Sequence, residues 1–346
     1  MQEREREREA RGRCELTERA WYSRNVQCGV SRMMSGAGGV SLPRFSRYSL
    51  PLACPEGVPL DRVRAVVDHG GVLNAGMLVC PRTSAETVGS IWKARVAEQP
   101  GMFNATKFRY VGVSASPGGV VTFQLEVTDY KTFQATNLAD DWEEVLAAHG
   151  EGALATTLGN GIFLETIDGM VPCLLRSQDV GEGRGNFCFP GGHPEPSEAS
   201  LESGGGGGGG GGSGGDQESV RRELFASAAR EAVDELGIAA GAIDLADLRL
   251  LGVSMREVHH RPTAIFYAST PLTSSEVARA YALKRGLDAF ESTNCVLLPA
   301  DSLSLDVLDA RPDRLGHRLS GCHRGGVDLF AQFHAARTRT GNARGH

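Results

Sequence analysis

The stretch Arg230-Glu231-Ala232-Val233-Asp234-Glu235-Leu236-Gly237-Ile238 places three carboxylates, Glu231, Asp234 and Glu235, at spacings of i, i+3 and i+4. On an α-helix these positions share one face. Crowded acids repel, so either water screens them or a divalent cation neutralises them. An oxygen-only set at this density suits Mg²⁺, which takes one or two carboxylates and completes its shell with water and substrate phosphate. A solvated acidic surface is the plainer alternative.

Helical geometry extends the acidic face upstream. Advancing about 100° per residue from Glu231 puts Glu235 near 40°, Asp234 near 300° and Glu223 near 280°. Phe225, Ala229, Ala232, Val233 and Leu236 collect on the opposite side as a core face. Gly237 supplies the C-terminal stop. Further upstream, Phe187-Cys188-Phe189 reads as a short strand entering the turn Pro190-Gly191-Gly192-His193-Pro194-Glu195-Pro196. Paired glycines let backbone approach a ligand closely. Strand, glycine turn and acidic helix together suit a metal-bound phosphate.

These residues resemble the Nudix box, G-x5-E-x7-R-E-U-x-E-E-x-G-U with U a bulky aliphatic residue. Gly192 matches its opening glycine and Arg230 to Ile238 its closing half, with Asp234 for one Glu and Ala232 as a small U. There are two departures. Between Gly192 and Arg230 lie 37 residues where the pattern has 13, much of the excess being the glycine run from Ser203 to Gly215. Glu223 stands seven residues before Arg230 rather than eight, while Arg222, at the expected position, points to the apolar side; the glutamate's role is therefore assigned to Glu223. Both oddities, with Pro-Gly-Gly-His-Pro-Glu-Pro and Glu-Leu-Phe-x-Ser, are similar to the UDP-sugar pyrophosphatase branch of the Nudix hydrolases. Further markers, from Ile91-Trp92-Lys93 through Tyr130-Lys131-Thr132-Phe133-Gln134-Ala135-Thr136-Asn137 to Glu291-Ser292-Thr293, extend the resemblance over roughly residues 85 to 300.

The resemblance implies Mg²⁺-dependent hydrolysis of a nucleotide-sugar diphosphate, such as UDP-glucose or UDP-galactose, to UMP and sugar 1-phosphate, with Mn²⁺ a possible substitute. Another nucleoside diphosphate derivative such as ADP-ribose, and a non-catalytic nucleotide-binding module, are the competing readings. Glu231 and Glu235 are the implied metal ligands, with Asp234, Glu223 and the Gly192 carbonyl as further members. Arg230 would hold the carboxylates by charge-assisted hydrogen bonds. The general base is either Glu291, on a loop after the box, or Glu231 or Glu235 through a metal-bound water. For the substrate, Lys107 and Arg109 alternate on a strand and share one side, as phosphate contacts or as an edge charge pair. Tyr130 and Asn137 could stack on and bond a base, Phe133 being better suited to the core, and Arg256 could reach phosphate. His193 reads as a hydrogen-bond partner that locks the turn, since Mg²⁺ avoids imidazole; His259-His260 reads as loop surface.

Composition agrees with a soluble enzyme. The 346 residues are 41% hydrophobic and 23% charged, with a net charge of −6. Residues 1–50 carry ten Arg against six Glu, so the remainder is near −10, which argues against a nucleic-acid groove. No apolar run approaches the roughly 18 residues of a membrane span. The eight Cys are scattered without a C-x-x-C pair and read as reduced, buried thiols. Glu3 to Glu9 alternates Glu and Arg, and no acid follows from Arg19 to Pro55. An acid-poor, Arg- and Ser-rich lead fits an organelle transit peptide, a cytoplasmic protein being the default. The sequence leaves the oligomeric state open.

The expected organisation is α/β. Residues 1–49 form a disordered or targeting segment, 50–150 a smaller α/β N-terminal domain, and 151–336 the Nudix α/β/α sandwich around a mixed sheet. Residues 198–217 form a flexible Gly-rich insertion and 337–346 a disordered tail. Helices are expected at 84–99, 141–149, 273–285 and 325–336, and strands at 107–114, 120–128, 161–166, 171–176, 248–255, 262–269 and 295–299.

Overall fold

A computed structural model describes residues 43–68, 80–178, 180, 182–199, 214–284 and 291–343. Residues 1–42 of the leading segment, 69–79 and most of the glycine-rich insertion lie outside them. The chain lays down β1 (Tyr48–Pro59) and β2 (Val63–Asp68), then α1 (Ala85–Glu98), the hairpin β3 (Thr106–Ala115) and β4 (Val121–Asp129), and short helices α2 (Tyr130–Ala135) and α3 (Trp142–His149). β5 (Gly159–Glu165), β6 (Met170–Arg176) and β7 (Phe187–Cys188) precede α4 (Gly214–Leu236). The hairpin β8 (Arg249–Arg256) and β9 (Arg261–Ser269), α5 (Ser274–Leu283), β10 (Ser292–Pro299), α6 (Leu305–Asp309) and α7 (Gly321–Ala343) complete it.

The central sheet has the order β1-β8-β9-β5 and is mixed, because β5 runs parallel to β9 while the other pairs are antiparallel. Its inner strands are near-continuous apolar runs, as strands covered on both faces must be. Side-chain alternation divides them. Ala264, Phe266 and Ala268 of β9 join Leu224, Phe225, Ala228 and Ala232 of α4 in one core. Ile265 and Tyr267 join Val327, Phe330 and Phe333 of α7 in the other. Helices therefore cover both faces, the expected α/β/α sandwich.

Residues 50–150 contain both strands and helices; Cys80, Trp142 and Val145 join Ala153 and Leu154 in a small cluster of their own, but the sheet of this region shares its core with the rest. Val63, Ala65, Phe108, Phe123 and Leu125, from the sheet β2-β4-β3, pack in the same cluster as α4 and β9. β1 is the edge strand of the central sheet, where Pro51, Pro55 and Pro59 cost few ladder bonds. A three-stranded sheet is too small to bury its own apolar face, so it shares that of α4. The two ends differ from expectation too. Within 43–49, Arg44 pairs with Glu143 and the Ser46 hydroxyl donates to the Leu319 carbonyl at 3.2 Å. Residues 337–343 continue α7 rather than forming a tail, and Arg337 bonds Glu165 at 2.9 Å.

Candidate active site

The glycine turn lies against the start of β5. Asn160 N–H donates to the Gly192 carbonyl at 2.9 Å, and Ile162 N–H donates to the Pro190 carbonyl at 2.8 Å. The Asn160 side chain closes the arrangement: its Oδ1 accepts from Gly192 N–H at 2.8 Å and its Nδ2 donates to Ser227 of α4 at 2.9 Å. A methyl group on Gly191 would overlap the Asn160 carbonyl, and one on Gly192 would overlap the Glu231 carboxylate. Both positions thus require glycine for close approach.

α4 brings its acids to this turn. Glu235 is only 4% exposed and accepts from Gly191 N–H at 3.0 Å. Burial, then the charges of Glu231 and Glu291, push its carboxyl up to about 8; the Gly191 N–H and Arg176 act the other way and are outweighed. Glu231, Glu235 and Glu291 therefore share one corner of a cavity, where burial and neighbouring negative charge disfavour the ionised form of Glu235. The helix ends there because Gly237 adopts φ +67°, and Lys284 Nζ donates to the Glu235 carbonyl at 2.8 Å, placing a cation on the helix C-terminus.

Cationic side chains line the same cavity as these acids. The cavity holds about 730 Å³, in the range of small-molecule sites. Glu182 joins Arg256 (Nη2 to Oε1 2.5 Å) and Arg261. Burial opposes its ionisation, but the Arg261 and Arg256 charges win and hold the carboxyl far below its ordinary range. Arg261 also donates to His193 Nε2 at 2.9 Å, and His193 is kept neutral by burial and by the Arg261 and Lys107 charges. His323 lines the cavity as well; burial first, then Arg176, Arg261 and Arg256, lower its imidazole to about 3. Phe45, Phe103 and Tyr130 supply aromatic lining.

No family model matches the chain. It is, however, 31% identical over 303 residues to Nudix hydrolase 9 of Arabidopsis thaliana, covering 83% of this chain and 91% of that protein. The chain belongs to the Nudix hydrolase family. It is also similar to the uridine diphosphate glucose pyrophosphatase NUDT22 of Bos taurus, at 33% identity over 74% of this chain and 88% of that one, and of Homo sapiens, at 34% over 60% and 70%.

The Nudix box residues divide into two groups in space. Glu231, Glu235 and Gly192 line the cavity, together with Glu291. Glu223 does not: it is buried with both oxygens on Arg230, at 2.7 and 3.0 Å, and one also accepts from Glu195 N–H at 3.1 Å. That pair spans a helical i, i+7 step and staples the glycine turn to α4, so the Arg230 guanidinium serves Glu223. Asp234 is exposed, because its place on the helix rotates it off the turn. Among the described residues no three acidic, histidine or cysteine side chains form a ready ligand cluster. The smaller set of Glu231, Glu235 and the Gly192 carbonyl still fits a Mg²⁺ ion. It offers hard oxygens only, burial disfavours the bare charge of Glu235, and one or two carboxylates suffice when water and phosphate complete the shell.

The five substrate candidates separate as well. Lys107, Tyr130 and Arg256 line the cavity. Lys107 pairs with Glu195, and the Arg256 guanidinium stands 5.0 Å from the Phe45 ring centre. Arg109 and Asn137 are not in the lining. Arg109 shares its strand face with Lys107, yet its guanidinium is taken by Glu126 (2.7 Å) and the carbonyls of Leu154 (2.8 Å) and Glu151 (3.1 Å). Asn137 Nδ2 donates to the His259 carbonyl and its Oδ1 accepts from Thr156 N–H, both at 2.9 Å. His259 is half-buried against Trp142 rather than loop surface. The six cysteines described are free thiols. Among the described residues no helix is long and apolar enough to cross a membrane. Sequence reasoning missed Asn160, Arg176, Glu182, Arg261 and His323. None carries a local motif, and only the flanking of the β8–β9 turn by Arg256 and Arg261 offered a signal.

Proposed function

We propose that the chain is a Mg²⁺-dependent UDP-sugar pyrophosphatase that converts UDP-glucose or a related sugar nucleotide to UMP and sugar 1-phosphate. The observation that carries this reading is one cavity lined by the carboxylates Glu231, Glu235 and Glu291, by Lys107 with three arginines, and by the rings of Phe45, Phe103 and Tyr130. A metal-bound diphosphate linking a base to a sugar matches that mixed lining. The similarity to uridine diphosphate glucose pyrophosphatases at 33% and 34% identity supports uridine as the nucleoside.

Glu231, Glu235 and the Gly192 carbonyl would hold the ion. When bound it neutralises phosphate charge and lowers the pKa of a coordinated water. The chain's own groups do the rest. Glu291, whose charge reaches Glu235, can take the proton released by the attacking water, with Glu231 or Glu235, acting through a metal-bound water, as the alternative. Lys107 and Arg256 bring cationic donors to the non-bridging phosphate oxygens. Tyr130, packed edge-on to Trp92 at 6.2 Å between ring centres, offers a fixed ring to the base. The Glu223–Arg230 pair keeps α4 in register with the glycine turn.

The test is product analysis of the full-length protein with Mg²⁺ and UDP-glucose, UDP-galactose or ADP-ribose. UMP with sugar 1-phosphate supports the proposal. Turnover of ADP-ribose alone keeps the Nudix chemistry and discards uridine; binding without turnover of any of the three discards catalysis.

A further inference from the structure

Four cationic side chains line the cavity: Lys107, Arg176, Arg256 and Arg261. Three are matched by carboxylates, Lys107 by Glu195 and the two others by Glu182. Arg176 differs. At the end of β6, its Nε donates to the Glu182 backbone carbonyl at 3.0 Å, and it also contacts the Cys188 thiol. Neither partner carries a formal negative charge, and among the described residues no carboxylate forms an ion pair with it. A half-buried guanidinium without a counter-ion is costly, and it is retained here beside an acidic corner that its charge reaches at Glu235.

Its anchoring is also informative. The Nε bond to the Glu182 carbonyl anchors the guanidinium. Arg176 lines the cavity together with Glu235 and His323, both of which feel its charge. A planar guanidinium fork matches two phosphate oxygens.

We propose that Arg176 is a catalytic residue that binds the substrate diphosphate and stabilises the charge on the departing phosphate. This rests on the diphosphate reading above. In the hydrolysis, a water oxygen forms a bond to one phosphorus, and the bond from that phosphorus to the bridging oxygen breaks. The bridging oxygen leaves with the electron pair as part of a monophosphate. One water proton passes to a cavity carboxylate and the other stays on the new P–OH group. Negative charge grows on the departing oxygen, and a donor aimed there is worth more in the transition state than in the ground state.

The experiment compares full-length wild type with Arg176→Gln, Arg176→Lys and a control at an exposed cation of α1, Lys93→Gln. Two readouts are taken: steady-state kinetics on UDP-glucose with Mg²⁺, with and without added guanidinium, and calorimetric binding of methylenediphosphonate. Arg176→Gln is expected to lose about 10²-fold in kcat with partial rescue by guanidinium, and to bind the diphosphonate at least about tenfold more weakly. Arg176→Lys should fall between and covers the case in which Arg176→Gln fails to fold. Unchanged kcat, KM and diphosphonate affinity in both folded variants would overturn the proposal and leave the pyrophosphatase reading standing. A wild type that binds the diphosphonate through Arg176 yet cleaves no sugar nucleotide would discard that reading and retain Arg176 as a diphosphate contact.

Discussion

Replacing Glu235 by Gln should stabilise the metal-free protein in alkaline solution, although it removes activity. The side chain is 4% exposed, and its carboxyl is displaced from an ordinary 4.5 to about 8 by burial and by Glu231 and Glu291. Because the folded pKa lies above the unfolded one, the folded state holds a proton that the unfolded state has released. The group therefore costs nothing below about pH 4.5, costs more as the pH rises toward 8, and reaches its full cost above that. At about 1.36 kcal/mol per pH unit, the full cost is on the order of 5 kcal/mol. Gln retains an oxygen for the Gly191 N–H but has no proton to lose. The assay is urea unfolding of wild type and Glu235→Gln in EDTA at pH 5 and pH 9. Buried His193 and His323 respond in the opposite sense but equally in both proteins, so the difference between the two proteins isolates Glu235. The variant should gain several kcal/mol on wild type between the two pH values, and millimolar Mg²⁺ should close the gap at pH 9. A difference that is the same at both pH values would refute the reasoning.

Other outcomes follow from the same geometry. Asp234→Asn should keep kcat within about threefold, because surface substitutions away from special contacts change little and Asp234 is exposed off the turn; a loss of 10²-fold, read in the same kinetic assay, would return it to the ligand set. Gly192→Ala must displace the Glu231 carboxylate and should cost about 10²-fold in kcat, as misplacement of a reacting group by 1 Å does. Arg230→Gln leaves buried Glu223 without its two-pronged partner and should lower unfolding free energy by about 2 kcal/mol, measured by urea titration. Gly237→Ala meets both a positive φ and the Lys284 side chain, and should cost more than about 1 kcal/mol in the same titration.

The sandwich was legible because its inner strands and α4 carry strong, uninterrupted patterns. Apolar runs at 261–269 and 159–165 require cover on both faces, and the face containing Phe225, Ala229 and Ala232 supplies it on one side. The domain boundary was not legible, since nothing local in Val63 or Phe108 says that their apolar face merges with that of α4. The same limit applied to side chains. Period-two alternation put Lys107 and Arg109 on one side of β3 correctly, yet their fates were decided by Glu195 and Glu126, distant in sequence. The helical wheel grouped Glu223, Asp234 and Glu235 by angle, whereas Glu223 is taken by Arg230 and the Glu195 N–H and Asp234 is exposed. Glu182, Arg261 and His323 escaped notice because each is an ordinary polar residue until the fold buries it beside the others.

The claim on which the rest depends is that the acidic corner takes a divalent ion shared with the substrate diphosphate. Mn²⁺ binding followed by electron paramagnetic resonance tests it most directly, with full-length wild type beside a Glu231→Gln/Glu235→Gln double variant, each with and without UDP-glucose. Wild type should immobilise Mn²⁺ and hold it more tightly when the nucleotide sugar is present, while the double variant leaves the ion free under both conditions. Equal immobilisation by the two proteins would contradict the account.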